Sequence, residues 1–133
     1  MDAVLVIGNE AMVQPKEPVP YSYDLGELWF RKTGFPVVFA VFAVQKDFAD
    51  KNRECLDTLV SSFRASISML SQDRNSVIKA ASARYPDVIY DIDNYYKTLQ
   101  FGFSDDLKQA LRFYFEQAEE LGLIEKAPML SFI

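Results

Sequence analysis

The stretch DLGELWFRKTGFPVVFAVFAV, residues 24–44, decides the fold that the sequence predicts. A short amphipathic helix is expected to start after Asp24, a common N-cap residue, and to stop at Gly34. The residues that follow, Val37–Val44, are apolar and uncharged, which is typical of a strand covered on both faces. A strand of this kind needs neighbours, so the rest of the chain must be searched for them.

A second short apolar run, Ala3–Ile7, also predicts a buried strand of the parallel kind. After Val44 the apolar residues recur at three- and four-residue steps and predict helices over 50–71, 75–85, from Asp87, and after the N-cap Ser104. Two apolar strands cannot cover each other on both faces. We therefore expect either the C-terminal part of a larger α/β protein or a sheet completed by a partner chain.

Composition narrows the class of protein. The chain has 133 residues, a formal net charge of −5 and no His, so it does not present the basic face that nucleic acid rewards. Without His it cannot supply a Ser-His-Asp triad or a typical zinc site, so we expect no metal. Cys55, the single cysteine, lies on an apolar helical stripe and is predicted to be buried. No signal peptide and no apolar run of membrane-spanning length is evident, so no membrane and a cytoplasmic location are expected.

Three blocks of sequence carry a resemblance to a known family. They are VLVIGNEAM at 4–12, YDLGELWFRKTGFPVVFAVFAV at 23–44 and LKQALRFYFEQAEELGLI at 107–124. In order and spacing they resemble the C-terminal half of the chorismate dehydratase family of the futalosine route to menaquinone. The block at 23–44 is the specific part of this resemblance, and the helices support it.

The resemblance implies a type 2 periplasmic-binding-protein-like fold, which is an α/β fold with two lobes and few parallel strands before a helix-rich C-terminal region. Residues 1–23 would then be the end of the second lobe and the crossing linker, and 24–133 would return to the first lobe. The implied activity is dehydration of chorismate, a small dicarboxylate, to 3-[(1-carboxyvinyl)oxy]benzoate, without a cofactor. The family protein is about twice this length, so we expect the fragment alone to be inactive.

Gly8 and Asn9 are the predicted substrate-binding residues, because they follow the end of a predicted strand, where open α/β sheets bind ligands. Glu10 and Asp24 rank behind them. An ionised Glu10 would repel a dicarboxylate, and Asp24 has a structural alternative as a helix N-cap. The sequence identifies no proton acceptor.

Two other functions remain open at this stage. The chain could be a non-catalytic module of the same scaffold that binds a small anion, or a helical interaction protein without a small ligand. A second copy of the chain, as a homodimer or through exchange of segments, could supply the missing strands.

Overall fold

The structure is a computed structural model, and it describes residues 3–13 and 19–132. Helices are the regular elements of the described residues, and extended segments and turns connect them. The elements are the 3₁₀-helix η1 (Gly8–Met12) and the α-helices α1 (Leu25–Thr33), α2 (Lys46–Lys51), α3 (Arg53–Gln72), α4 (Arg74–Arg84), α5 (Ile92–Thr98) and α6 (Asp105–Glu120).

Local capping chemistry sets the ends of these helices. The Oδ1 atom of Asp24 accepts the N–H of Glu27 at 3.0 Å, and α1 ends at Gly34, whose φ of 76° is left-handed. Ser104 caps α6 in the same way. These predicted starts and stops are confirmed. The helix predicted from Asp87 instead begins at Ile92, because the Asp91 side chain caps it.

The chain divides into two compact units. The first draws its described residues from Met1–Pro20 and Val44–Phe101, and the second from Tyr21–Ala43 and Gly102–Ile133. The first unit therefore holds η1 and α2 to α5, and the second holds α1 and α6. The predicted crossing linker within residues 1–23 includes residues 14–18, which lie outside the described residues.

In the first unit, α3 supplies the buried apolar contact and α4 is tied to α5. Leu56 of α3 is 5% exposed, whereas Cys55 beside it is exposed, so the prediction that Cys55 is buried is wrong. The guanidinium of Arg74 donates from Nε to Oδ1 of Asp93 at 2.7 Å and from Nη2 to its backbone oxygen at 2.6 Å. This bidentate contact joins the first residue of α4 to the second residue of α5.

In the second unit, aromatic rings join α1 to α6. The Trp29 ring lies 6.0 Å from that of Phe113 and 5.7 Å from that of Tyr114, and Phe35 stacks on Phe113 at 4.5 Å. Ala110, one turn before Phe113, is 2% exposed. Trp29 thus packs between helices, as a large aromatic side chain usually does.

The C-terminal segment packs back on α6. The ring of Phe132 meets that of Phe103 at 5.5 Å. The cations of Lys108 and Arg112 lie over its face, 5.7 and 5.1 Å from the centroid. These contacts hold the segment against the helix by cation–π attraction.

The α/β fold class is wrong. No residue in the ranges 3–13 and 19–132 belongs to a β-strand, so the parallel sheet and the two-lobe periplasmic-binding-protein-like architecture that it would build are not found. Ala3–Ile7 and Val37–Val44 have no regular secondary structure. A strand exists only when a neighbour takes its backbone hydrogen bonds, whereas a helix satisfies its own, and apolar sequence alone supplies no such neighbour.

Residues 3–7 and 39–44 are instead exposed, and Val37 and Val38 are half-buried. Ile7 is 72% exposed, and Phe39 and Phe42 are each 86% exposed. Within the part of the chain that the structure describes, only Leu56 and Ala110 are buried hydrophobic residues. Among its described residues, each compact unit therefore contains one buried hydrophobic residue.

Candidate substrate-binding site

The predicted site residues Gly8, Asn9 and Glu10 open the short helix η1. The chain reaches η1 in an extended conformation at Ile7, with φ −138° and ψ 163°, and turns at Gly8, whose φ is 60°. Only glycine adopts this left-handed angle without strain. A Cβ placed on Gly8 would meet nothing within 4 Å, so the space beside its backbone is open.

Asn9 and Glu10 are both exposed on this turn. The amide of Asn9 can donate two hydrogen bonds to a carboxylate or hydroxyl, whereas ionised Glu10 can only accept them. At neutral pH Asn9 therefore suits an anionic ligand, and Glu10 suits a hydroxyl or a cation.

A tyrosine-rich segment lies next to η1. The N–H of Ile89 donates to the backbone oxygen of Met12 at 3.1 Å, which fixes the end of η1 beside the segment that leads into α5. The amide of Asn94 donates to the hydroxyl of Tyr90 at 3.2 Å, and the Tyr90 ring meets that of Tyr95 edge-on at 6.3 Å. The backbone contact of Ile89 with Met12 thus brings the segment that carries Tyr90 to the end of η1.

Sequence reasoning missed this neighbourhood. The candidate residues predicted from the sequence include neither Tyr90 nor Asn94. The available signal was the spacing of Tyr90 and Asn94, which are four residues apart and can meet on one helical turn. What the spacing could not show is that Met12 binds the residue before Tyr90.

The charges near α5 are already paired. Asp91 accepts the N–H groups of Asp93 and Asn94 at 2.9 and 3.1 Å and so caps the helix. Hydrogen bonds from Lys97 and then from Arg74 hold the pKa of Asp93 below its ordinary value of 3.8. Lys97 and Arg74 both pair with Asp93, whereas Asn94 and Tyr90 carry neutral donor groups.

Asp24, the remaining predicted site residue, lies in the second unit. Its carboxylate caps α1, as its structural alternative predicted. Arg31, near the end of the same helix, pairs with Glu27 at 2.7 Å on the exposed surface. Asp24 therefore already stabilises the start of α1. To bind a ligand as well, its carboxylate would have to use the oxygen that does not cap the helix, or share Oδ1 with the N–H of Glu27.

A groove also runs between α3 and α4. It has a volume of about 330 Å³ and an open mouth, and Met69, Gln72, Asp73, Ser76, Val77 and Ala80 line it. None of the predicted site residues lines this groove. In the described ranges, no three Asp, Glu or Cys side chains converge to hold a metal ion. None of the described helices has the length and hydrophobicity needed to cross a bilayer.

Comparison with known proteins gives the family. The family model described as menaquinone biosynthesis matches residues 1–120, which is most of the chain. The chain belongs to this menaquinone biosynthesis family. No solved structure matches it.

Proposed function

We propose that the chain is the C-terminal portion of a chorismate dehydratase and that it contributes substrate-binding residues to the conversion of chorismate to 3-[(1-carboxyvinyl)oxy]benzoate. The observation that carries this proposal is the family match over residues 1–120, which includes the specific block at 23–44. The match supports menaquinone biosynthesis, and the resemblance of that block selects the dehydration step within it.

The proposed reaction does not require a strong general acid or base from this chain. Chorismate loses a ring proton and its hydroxyl group as one water molecule, and the electron pair of the broken C–H bond completes an aromatic ring. No oxidant or reductant is consumed. Because aromatisation drives the step, the protein mainly has to orient the substrate and hold its two carboxylates. A chain without His fits this requirement.

Asn9 is the residue to which we assign a direct contact. Its exposed amide would donate to a substrate carboxylate, and Gly8 would let the substrate approach the backbone. The hydroxyl of Tyr90 and the amide of Asn94 would extend this set of neutral donors from the adjacent segment. Glu10 ranks behind them because of its charge.

The test measures turnover by two polypeptides together. The chain is co-expressed with the first half of a chorismate dehydratase, and the aromatic product is followed by chromatography and ultraviolet absorbance. We expect product from the mixture and none from either half alone. Asn9→Ala should lower kcat/KM about tenfold or more, because a hydrogen bond to a charged group contributes about 1.5–3 kcal/mol.

Asn75→Ala is the matched control, because Asn75 is an exposed asparagine on α4 outside the proposed site. It should turn over chorismate like the parent. Equal losses for the two variants would remove Asn9 from the site. If the mixture binds chorismate but forms no product, the proposed enzyme activity is contradicted and the alternative, a non-catalytic binding module, is favoured.

A further inference from the structure

The C-terminal segment, residues 122–132, folds back along α6 and places one aromatic ring on that helix. The segment turns at Gly122, whose φ of 69° is left-handed. The N–H of Ala127 then donates to Oε2 of Glu119 at 2.8 Å, close to the end of α6. Phe132, further along the segment, contacts residues in the first half of the same helix. The segment therefore runs back towards the start of α6.

Three side chains, those of Phe103, Lys108 and Arg112, surround the ring of Phe132, and we call them the ring site. The Phe103 ring meets the Phe132 ring at 5.5 Å, with the two planes inclined at 70°. Nζ of Lys108 lies 5.7 Å from the centroid of the Phe132 ring, and Cζ of Arg112 lies 5.1 Å from it. Lys108 and Arg112 are four residues apart and so lie on one face of α6. Two cations and an aromatic ring together suit the π face of an aromatic group.

The two cations of the ring site differ in their partners. Lys108 pairs with Asp105 at 2.8 Å. Arg112 is exposed and belongs to no ion pair among the described residues, and its guanidinium lies over Phe132. At an exposed site a π face attracts a cation only weakly, whereas a carboxylate can accept two hydrogen bonds from one guanidinium. A ligand that carries both an aromatic ring and a carboxylate would therefore use the ring site more fully than Phe132 does.

We propose that the ring site binds an aromatic carboxylate and that Phe132 of the C-terminal segment occupies it in the absence of that ligand. The ring of the ligand would replace the Phe132 ring beside Phe103, and its carboxylate would pair with the guanidinium of Arg112. Phe132 competes with the ligand because it is tethered to the same chain. Met129, between Ala127 and Phe132, is 97% exposed and adds little to the hold of the segment on α6. This inference does not depend on the proposed reaction.

The test is a titration of the purified chain with benzoate, followed by the NMR shifts of the backbone amides of α6. We expect saturable shifts at Lys108 and Arg112. Phe132→Leu keeps an apolar side chain beside Phe103 but removes the competing π face, so it should strengthen benzoate binding about threefold or more. Arg112→Gln should weaken benzoate binding about threefold or more, because the carboxylate loses its charged donor.

Three controls separate the ring from the charge and the site from its surroundings. Arg84→Gln removes the other arginine that lies over a described ring, 5.6 Å from the centroid of Tyr85 in the first unit, and should leave benzoate binding unchanged. Cyclohexanecarboxylate has the charge of benzoate without its π face, and benzyl alcohol has the aromatic ring without the charge. Each should bind more weakly than benzoate, because the proposed site uses both groups.

Benzoate that shifts no α6 amide of either the parent or Phe132→Leu overturns the proposal. So does equal affinity of the parent and Arg112→Gln for benzoate. Phe132→Tyr keeps the π face and the packing of the segment, so it should bind benzoate as the parent does. If Phe132→Leu and Phe132→Tyr bind benzoate equally well, Phe132 is not a competitor and only anchors the segment, and the proposal fails.

Discussion

Helix α3 and the segment Ala3–Ile7, which reaches η1 in an extended conformation at Ile7, belong to the same compact unit and are both rich in apolar residues. Their side chains nevertheless differ strongly in solvent exposure. Leu56 on α3 is 5% exposed, whereas Leu5 in the extended segment is 70% exposed. A helix closes its hydrogen bonds within four residues and needs neighbours only for one stripe. An extended segment needs a neighbour for its backbone and for each face, so it stays uncovered when the chain supplies none.

A leucine-to-alanine substitution at each of these two positions tests this contrast, and the substitution on α3 has the largest expected effect on the free energy of unfolding. Leu56→Ala should lower the free energy of unfolding by about 2 kcal/mol or more, because it removes a buried side chain and leaves a cavity. Leu5→Ala should change it by less than about 0.5 kcal/mol, as exposed substitutions usually do. Urea denaturation of both variants and the parent measures the two values.

Equal costs at Leu56 and Leu5 would show that the extended segment is packed in solution, and the contrast between the two regions would fail. The concentration should be kept low in these titrations, so that association of chains does not add to the stability of either variant.

What the sequence predicted well is the part of the fold that depends on near neighbours. Asp24, Gly34 and Ser104 each mark a helix end through a contact within four residues, and such contacts can be read from spacing. The predicted strands Ala3–Ile7 and Val37–Val44 failed because a β-strand depends on partners far along the chain. The prediction that Cys55 is buried was wrong for a related reason. Periodicity places Cys55 near an apolar stripe but does not show where the buried part of the stripe ends.

The same distinction between local and long-range contacts applies to the candidate site. The cap at Asp24 is a local feature, and the sequence predicted it. The position of Tyr90 and Asn94 beside η1 depends on the contact between Ile89 and Met12, which no local pattern encodes. The family could be inferred because a resemblance uses the whole order of blocks and does not need their contacts.

The N-cap hydrogen bond of Asp24 can be removed by one substitution, and its loss has the next largest expected effect on the free energy of unfolding. Asp24→Ala should lower the free energy of unfolding by about 1 kcal/mol, because the N–H of Glu27 loses its acceptor. Asp24→Asn should cost much less, because asparagine is an equally good N-cap residue. Chemical denaturation followed by helical circular dichroism measures both. If Asn costs as much as Ala, the carboxylate of Asp24 has a role besides the cap.

The smallest predicted effect concerns a contact that joins two helices through charge. Asp93 of α5 binds Arg74 of α4 at 2.7 Å and pairs with Lys97 on its own helix. Hydrogen bonds from Lys97 and Arg74 hold the pKa of Asp93 below 3.8 in the folded chain. The folded state therefore prefers the ionised form, and this contribution to stability is fully present above the unfolded pKa and is lost as the pH falls through the lowered pKa.

Asp93→Asn should therefore flatten the fall in stability between about pH 5 and pH 2, while stability at neutral pH decreases. The measurement is the midpoint of urea unfolding at each pH for the variant and the parent. Asp105→Asn is the control: Lys108 lowers the pKa of Asp105 within one turn of α6, so its loss should change the acid limb less. If the two variants flatten the limb equally, the bridge between α4 and α5 adds nothing beyond what a local ion pair gives.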